Sequence, residues 1–163
     1  ETAIATAPIE EGQSVSLTMR DGVLHATPGG TGSATAVAVS SADAEQDVGI
    51  TDFDGVLEYD LGTATIVSIP PIRDGGSATI DHDAVAEVAR AHDLVAVSGA
   101  EAVAAATAAE LTPDVQFATA AAVQEAATKG LDVCLLAVAD DLAGLTDTFR
   151  NSDIAFEVVE FEP

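Results

Sequence analysis

Lysine is almost missing from this chain. Lys129 stands alone, and with four arginines it faces 28 acidic residues, for a formal charge of −23 in 163 residues. That poverty argues against this segment gripping nucleic acid, whose phosphates need clusters of Lys and Arg that release counterions. Cysteine is equally scarce. Cys134 lies inside an apolar run over residues 131–138, which excludes a disulfide framework and reads as a small buried hydrophobe rather than a nucleophile. There is no charged n-region with an apolar h-region and no uninterrupted apolar span of about 18 residues, so neither export nor membrane insertion is expected and a cytoplasmic address follows. Walker loops, nucleophile elbows and dinucleotide fingerprints are also missing. Gly29-Gly30-Thr31-Gly32 does not open a helix and no Gly-Lys-Ser/Thr follows it, so nucleotide hydrolysis is not expected. The histidines His25, His82 and His92 share no ligand spacing. His82, between Asp81 and Asp83, reads as part of a solvated first helical turn, and neither metal nor cofactor is expected.

What is present is a hydrophobic fraction of 48%, too high for a disordered acidic chain. The acidity is spread along the sequence rather than gathered in a tail, and such self-repulsion needs screening. The Debye length falls from about 8 Å at physiological salt to about 3 Å at molar salt, so this surface is best tolerated in concentrated salt. Abundant Asp, Glu and Ala with almost no Lys resembles the proteins of salt-accumulating halophilic archaea. The length suits one domain, or one with a small appendage. A chain that opens on Glu1 rather than methionine is expected to be a piece of a larger protein.

The pattern divides in two. In the first part Val15, Leu17 and Met19, then Val23 and Leu24, straddle Asp21-Gly22, a strong two-residue hairpin signal. Strands are expected over residues 36–39, 56–59 and 64–69, so that 1–69 forms a β-rich N-terminal portion. From 70 to 163 the chain alternates. Asp81 reads as the N-cap of a first helix. Strands are then expected at 94–97, 115–118, 133–138 and 154–161, and helices at 101–111, 121–129 and 142–150. The fold class is therefore α/β: a β-rich N-terminal portion followed by a mostly parallel sheet with helices on both faces, in one continuous domain.

In such a sheet the loops after the strands open at one edge, where α/β proteins bind ligands. That edge is expected to gather Arg73, Gly75, Gly76 and Ser77, then Ser98, Gly99 and Glu101, then Thr119, then Asp140 and Asp141. In Pro70-Pro71-Ile72-Arg73-Asp74-Gly75-Gly76-Ser77 two glycines let N–H groups converge on an anion beside one of only five cationic side chains, which points to a small anionic metabolite. An ordinary turn before a helix cap is the plain alternative, as a simple capping role is for Ser98.

A catalytic alternative is also written in the residues. Asp52-Phe53-Asp54-Gly55 matches the nucleophile motif of haloacid-dehalogenase-type phosphatases, with Ser98, Lys129 and Asp140-Asp141 following in order, as a magnesium-dependent site would require. Against it, Val48-Gly49-Ile50-Thr51 is only half apolar, and residues 56–69 read as further strands rather than as a helix.

Finally, several stretches together resemble the C-terminal domain of archaeal MarR-like winged-helix transcriptional regulators. They are Val56-Leu57-Glu58-Tyr59-Asp60-Leu61-Gly62, the strand into Ile69-Pro70, Gly75-Gly76-Ser77, Gly99-Ala100-Glu101-Ala102, and Ala126-Ala127-Thr128-Lys129-Gly130-Leu131-Asp132-Val133. The resemblance implies a winged helix upstream that alone binds DNA, with this domain as effector sensor or dimerisation module. A homodimer without catalytic activity is the expectation. A basic residue often follows Gly-Gly-Ser in that pattern, and Ala78 stands there instead.

Overall fold

The computed structural model describes residues 1–162. The chain is mixed α/β and forms two compact units, Glu1–Asp60 and a second that begins at Leu61. The boundary therefore falls before the β-run at 64–69, which belongs to the second unit, and two units replace the expected single domain.

The first unit is a closed barrel of five strands: β1 (Thr2–Ala5), β2 (Ser14–Arg20), β3 (Val23–Pro28), β4 (Ala34–Ala38) and β5 (Asp47–Gly55), in the order β1-β3-β2-β4-β5. The β2–β3 hairpin turns on Asp21 and Gly22, both at positive φ (52° and 74°), as a type I′ turn requires. Alternate residues point inward: Val15 and Leu17 from β2, Val48 and Ile50 from β5, and a set of alanines (Ala3, Ala5, Ala26, Ala34, Ala36, Ala38) small enough to fill so narrow a lumen. Residues 56–59 form no strand, whereas β5 does. Only Val48 and Ile50 of β5 are buried, so its sequence shows too short an alternation to stand out.

The second unit carries four parallel strands in the order β7-β8-β6-β9: β6 (Thr63–Ile69), β7 (Leu94–Ser98), β8 (Val133–Val138) and β9 (Ala155–Val159). Its helices are α1 (His82–Arg90), α2 (Ala100–Ala108), α3 (Thr119–Thr128) and α4 (Leu142–Arg150). Strand period sorts the core into two layers. Val67, Ile69, Cys134 and Leu136 face α1 and α2, while Ala64, Ile66, Leu135 and Ala137 face α3 and α4. Helices thus cover both faces, which explains why β8 is buried at all six positions and reads as an unbroken apolar run. The Asp81 side chain caps α1 by accepting from the Ala84 N–H at 3.0 Å. The strand expected at 115–118 shrinks to a single parallel bridge, Ala96 to Val115, beyond which the chain turns straight into α3.

At the end of the sheet where strands begin, carboxylates meet the free donors of the backbone. Asp132 Oδ1 accepts from the Thr63 N–H (2.9 Å) and hydroxyl (3.1 Å), Asp93 Oδ2 from the Asp132 N–H (2.8 Å), and Asp114 Oδ2 from the Val95 N–H (2.9 Å). Part of this acidity is therefore structural. Among the described residues no helix is long and apolar enough to cross a membrane.

Candidate functional site

Parallel topology delivers the ends of β6, β7 and β8 to one edge, and the residues expected there do meet. Arg73 lies in a 3-10 turn, Ile72–Asp74, just after β6. Its two terminal nitrogens reach both oxygens of Asp140, from the turn after β8, each at 2.7 Å. This fork-to-fork pair ties two loops together across the edge. Glu101, in the first turn of α2, accepts the Ile72 N–H at 3.0 Å and holds the same loop from the other side. The Ser98 hydroxyl donates to Asp141 Oδ2 at 2.8 Å rather than capping α2, whose N-cap is Gly99. Thr119 is buried and donates to the Val97 carbonyl at 2.9 Å.

At the loop itself the groups expected to face an anion already have partners within the chain. Arg73 already holds a carboxylate, and Asp74 lies 3.9 Å from its Nε. The Gly75 and Gly76 N–H groups turn back on the Ile72 and Pro71 carbonyls (both 3.1 Å), and the Ser77 carbonyl is bonded to His82 Nε2 at 2.7 Å. The loop is a self-contained turn. Around it stand the carboxylates of Asp74, Glu101, Asp140 and Asp141, so the charged side chains at this edge offer acceptors to whatever approaches.

Hydrogen bonding to Arg73 holds the Asp140 carboxyl below its ordinary range, and Asp140 in turn raises Arg73 further. A carboxyl that titrates lower in the folded than in the unfolded chain contributes stability that is complete above about pH 4 and disappears as pH falls through the folded value. Asp140→Asn should therefore lower the thermal midpoint above about pH 4, by little because the pair is exposed and screened, and leave it unchanged near pH 2, so that the acid limb becomes slightly flatter. Midpoints by circular dichroism from pH 2 to 7, at low and at molar KCl, check this; an unaltered acid limb at low salt would remove the pair as a contributor.

An open cleft of about 590 Å³ lies beside this pair, lined among others by Ser98, Gln116, Phe117, Thr119, Asp140 and Asp141. Phe117 was not anticipated from the sequence. It is 85% exposed, the most open of the large hydrophobic side chains on the described surface. Reading 115–118 as a strand concealed it, since an aromatic in a strand is ordinary. Ala118 behind it has a left-handed backbone (φ 50°), which ends the bridge at Val115 and starts α3. A second, smaller cavity of about 240 Å³ opens between Pro70, Pro71, Ile80 and Phe161.

The residues of the phosphatase alternative are divided between the two units. Asp52 and Asp54 sit on barrel strand β5, where Thr35 pairs with Asp54 and Val37 with Thr51, so that Ala36 alone faces Asp52 and Phe53. This is a β-bulge with Asp52 at φ 53°, a conformation that Asp tolerates better than most residues. Gly55 ends the strand where a Cβ would collide with the Ser33 carbonyl. The Asp-Phe-Asp-Gly signal is thus explained by a bulge and a strand end. Lys129, at the C-terminal end of α3, pairs with Glu125 at 2.9 Å and leads to the start of β8, whereas Asp140 and Asp141 follow its end. Cys134 is fully buried, and burial pushes its thiol up to about 12. Among the described residues no three His, Cys, Asp or Glu side chains are grouped to hold a metal ion.

Comparison with known proteins adds kinship. The chain is 28% identical over 160 residues to the uncharacterized protein MJ0558 of Methanocaldococcus jannaschii, a match that covers 97% of this chain and 61% of that protein. No solved structure matches. The model of a family described as "Domain of unknown function (DUF7839)" matches residues 58–158, a span that holds all four parallel strands but the last residue of β9 and every side chain of the cleft. The chain belongs to the DUF7839 family.

Proposed function

We propose that this chain is the effector-sensing part of a haloarchaeal transcription regulator of the MarR-like winged-helix kind that it resembles. The observation that carries the reading is the convergence, at one end of a parallel sheet, of the loops after β7 and β8 and the start of α3 around an open cleft. The polar side chains there are tied to one another, Arg73 to Asp140 and Ser98 to Asp141, and a ligand entering the cleft competes with those ties. A ligand that favours one loop arrangement shifts the population of the whole regulator by its difference in affinity for the two. DNA contact belongs to a winged helix outside this chain, because a chain with a charge of −23 and a single lysine repels phosphates. This chain spans only 61% of the archaeal relative's length, which leaves room in a longer protein for such a domain.

The test uses the full-length native product, tagged in its own cell at its own salt, with the co-purifying DNA sequenced. Enrichment of discrete sites is expected. Recovery no different from an untagged strain would sink the regulator reading.

A further inference from the structure

The chemistry of the cleft narrows what can fill it. We infer that it takes an unphosphorylated nucleobase or nucleoside, a planar heteroaromatic ring rich in N–H donors, stacked on Phe117 and hydrogen-bonded to Asp141 and Ser98. This rests on the effector-site reading above and deepens it.

Phe117 is the starting point. Only 4% of residues are aromatic, and this phenyl ring is 85% exposed at the rim of a cleft of about 590 Å³. A buried apolar anchor it is not: the neighbouring Val115 makes the sheet contact, and Phe117 leaves it for the cleft. A flat ring offered to solvent beside a polar floor fits a ligand that is itself flat, because stacking works through the π-face whatever the substituents.

The polar lining then selects among flat ligands. Asp140 and Asp141 are acceptors when ionised, and the Ser98 proton is already committed to Asp141 Oδ2. A ligand must therefore bring donors, as the amino and ring N–H groups of purines and cytosine do. The Asp141 oxygen away from Ser98 and the Gln116 amide supply complementary positions on the same rim. Anionic groups are disfavoured, since Asp140 and Asp141 line the site and Arg73 is held by Asp140. Aromatic acids and nucleotides are selected against on that ground. The carboxylates alone would attract any cation, and only the aromatic face beside them distinguishes a base from an amine.

The experiment is isothermal titration of the full-length native protein at molar KCl with adenine, guanine, cytosine and adenosine. Adenosine monophosphate, benzoate and putrescine serve as controls for phosphate, for an anionic ring and for charge without a ring. At least one base or adenosine should bind, with the three controls at least about ten-fold weaker. Phe117→Ala should cost roughly ten-fold or more and Phe117→Tyr should preserve binding, in line with about 1–3 kcal/mol per stacked base. Asp141→Asn should weaken a donor-rich ring while leaving the thermal midpoint unchanged. Ile72→Ala, which removes an exposed apolar side chain from the same edge but outside the cleft lining, should leave binding intact.

Putrescine binding as tightly as the bases would overturn the inference and leave a simple cation surface. Failure of every base to bind, together with Phe117→Ala converting a dimer to a monomer in sedimentation, would assign Phe117 to a contact between copies. Failure of every base while other metabolites stabilise the protein through Ser98 would end this inference but keep the effector site. Failure of all ligands, with discrete DNA sites still recovered, would end both the inference and the effector site and leave only regulation.

Discussion

Phe149→Ala should cost about 3–5 kcal/mol of the second unit's stability, enough to bring it to the edge of unfolding at ordinary temperature. Phe149 lies on the inner face of α4 and is fully buried between that helix and the sheet. Its ring sits 5.9 Å from that of Phe156 on β9, tilted at 55°, and such an aromatic pair adds about 0.5–1.5 kcal/mol to area burial. The other buried members of its cluster, Ala64, Ile66, Leu145 and Ile154 among them, are all small or branched. None of these is long enough to reach into the space a deleted phenyl ring would leave, so the cavity should stay open. Besides Phe149 only Leu145 and the partly buried Leu142 bring large apolar side chains from α4 to this core, and the exposed Arg150–Asp147 pair at 3.6 Å is worth almost nothing in salt. Denaturant unfolding followed by circular dichroism at molar KCl gives the loss directly. Phe149→Leu, which keeps most of the volume, should lose well under half as much. A Phe149→Ala loss below about 1 kcal/mol would mean that the two layers of this core can collapse on one another.

The sequence and the structure agree best where a periodic pattern meets a chemical stop. β8 and α4 match the expected spans of 133–138 and 142–150, the first because both sheet faces are covered, the second because Leu142, Leu145, Thr146 and Phe149 recur at helical spacing. Agreement fails where tertiary contact decides. Residues 56–59 look as apolar as any strand, yet they follow Gly55 out of the barrel and Val56 is left largely exposed. Val115 and Phe117 have strand propensity, but the pairing stops at the single bridge made by Val115.

For the candidate site, location was legible and pairing was not. That Arg73, Ser98, Glu101, Thr119, Asp140 and Asp141 share one edge follows from strand direction alone, once the alternation of strands and helices is read as parallel. Which acid Arg73 would choose did not follow. With 28 carboxylates in the chain, no local pattern singles out Asp140, 67 positions away, and the choice depends on β6 and β8 being neighbours in register. The same ignorance produced the phosphatase motif. Acids are common here, so two of them around a phenylalanine carry little information until the backbone shows a bulge.

Gly62→Ala should be more damaging than its size implies, a loss of about 3 kcal/mol or more, at the severe end for one added methyl group. Gly62 is buried where the chain enters β6, and its N–H donates to the Ala127 carbonyl at 2.8 Å. A Cβ there would stand 1.8 Å from the Leu131 carbonyl oxygen and 2.4 Å from its carbon, far inside any contact distance. Both obstacles are backbone, and both are anchored. Leu131 donates to the Ala126 carbonyl at 3.0 Å and Asp132 donates to Asp93, while the Asp132 carboxylate holds the Thr63 N–H one residue beyond Gly62. Making room therefore means breaking the entry of β6 or the approach to β8, the two central strands of the sheet. Gly144→Ala is the matched control. Gly144 lies within α4, with nothing within 4 Å of where the added methyl group would stand and no positive φ, so that substitution should stabilise by about 0.5–1 kcal/mol through helix propensity alone. The two alanines should thus move the thermal midpoint in opposite directions, Gly144→Ala upward by a few degrees and Gly62→Ala downward by roughly 12 °C or more. A Gly62→Ala midpoint within about 2 °C of the parent protein would show that the end of α3 and the β8 approach can part without cost, and that the sheet's register is set elsewhere.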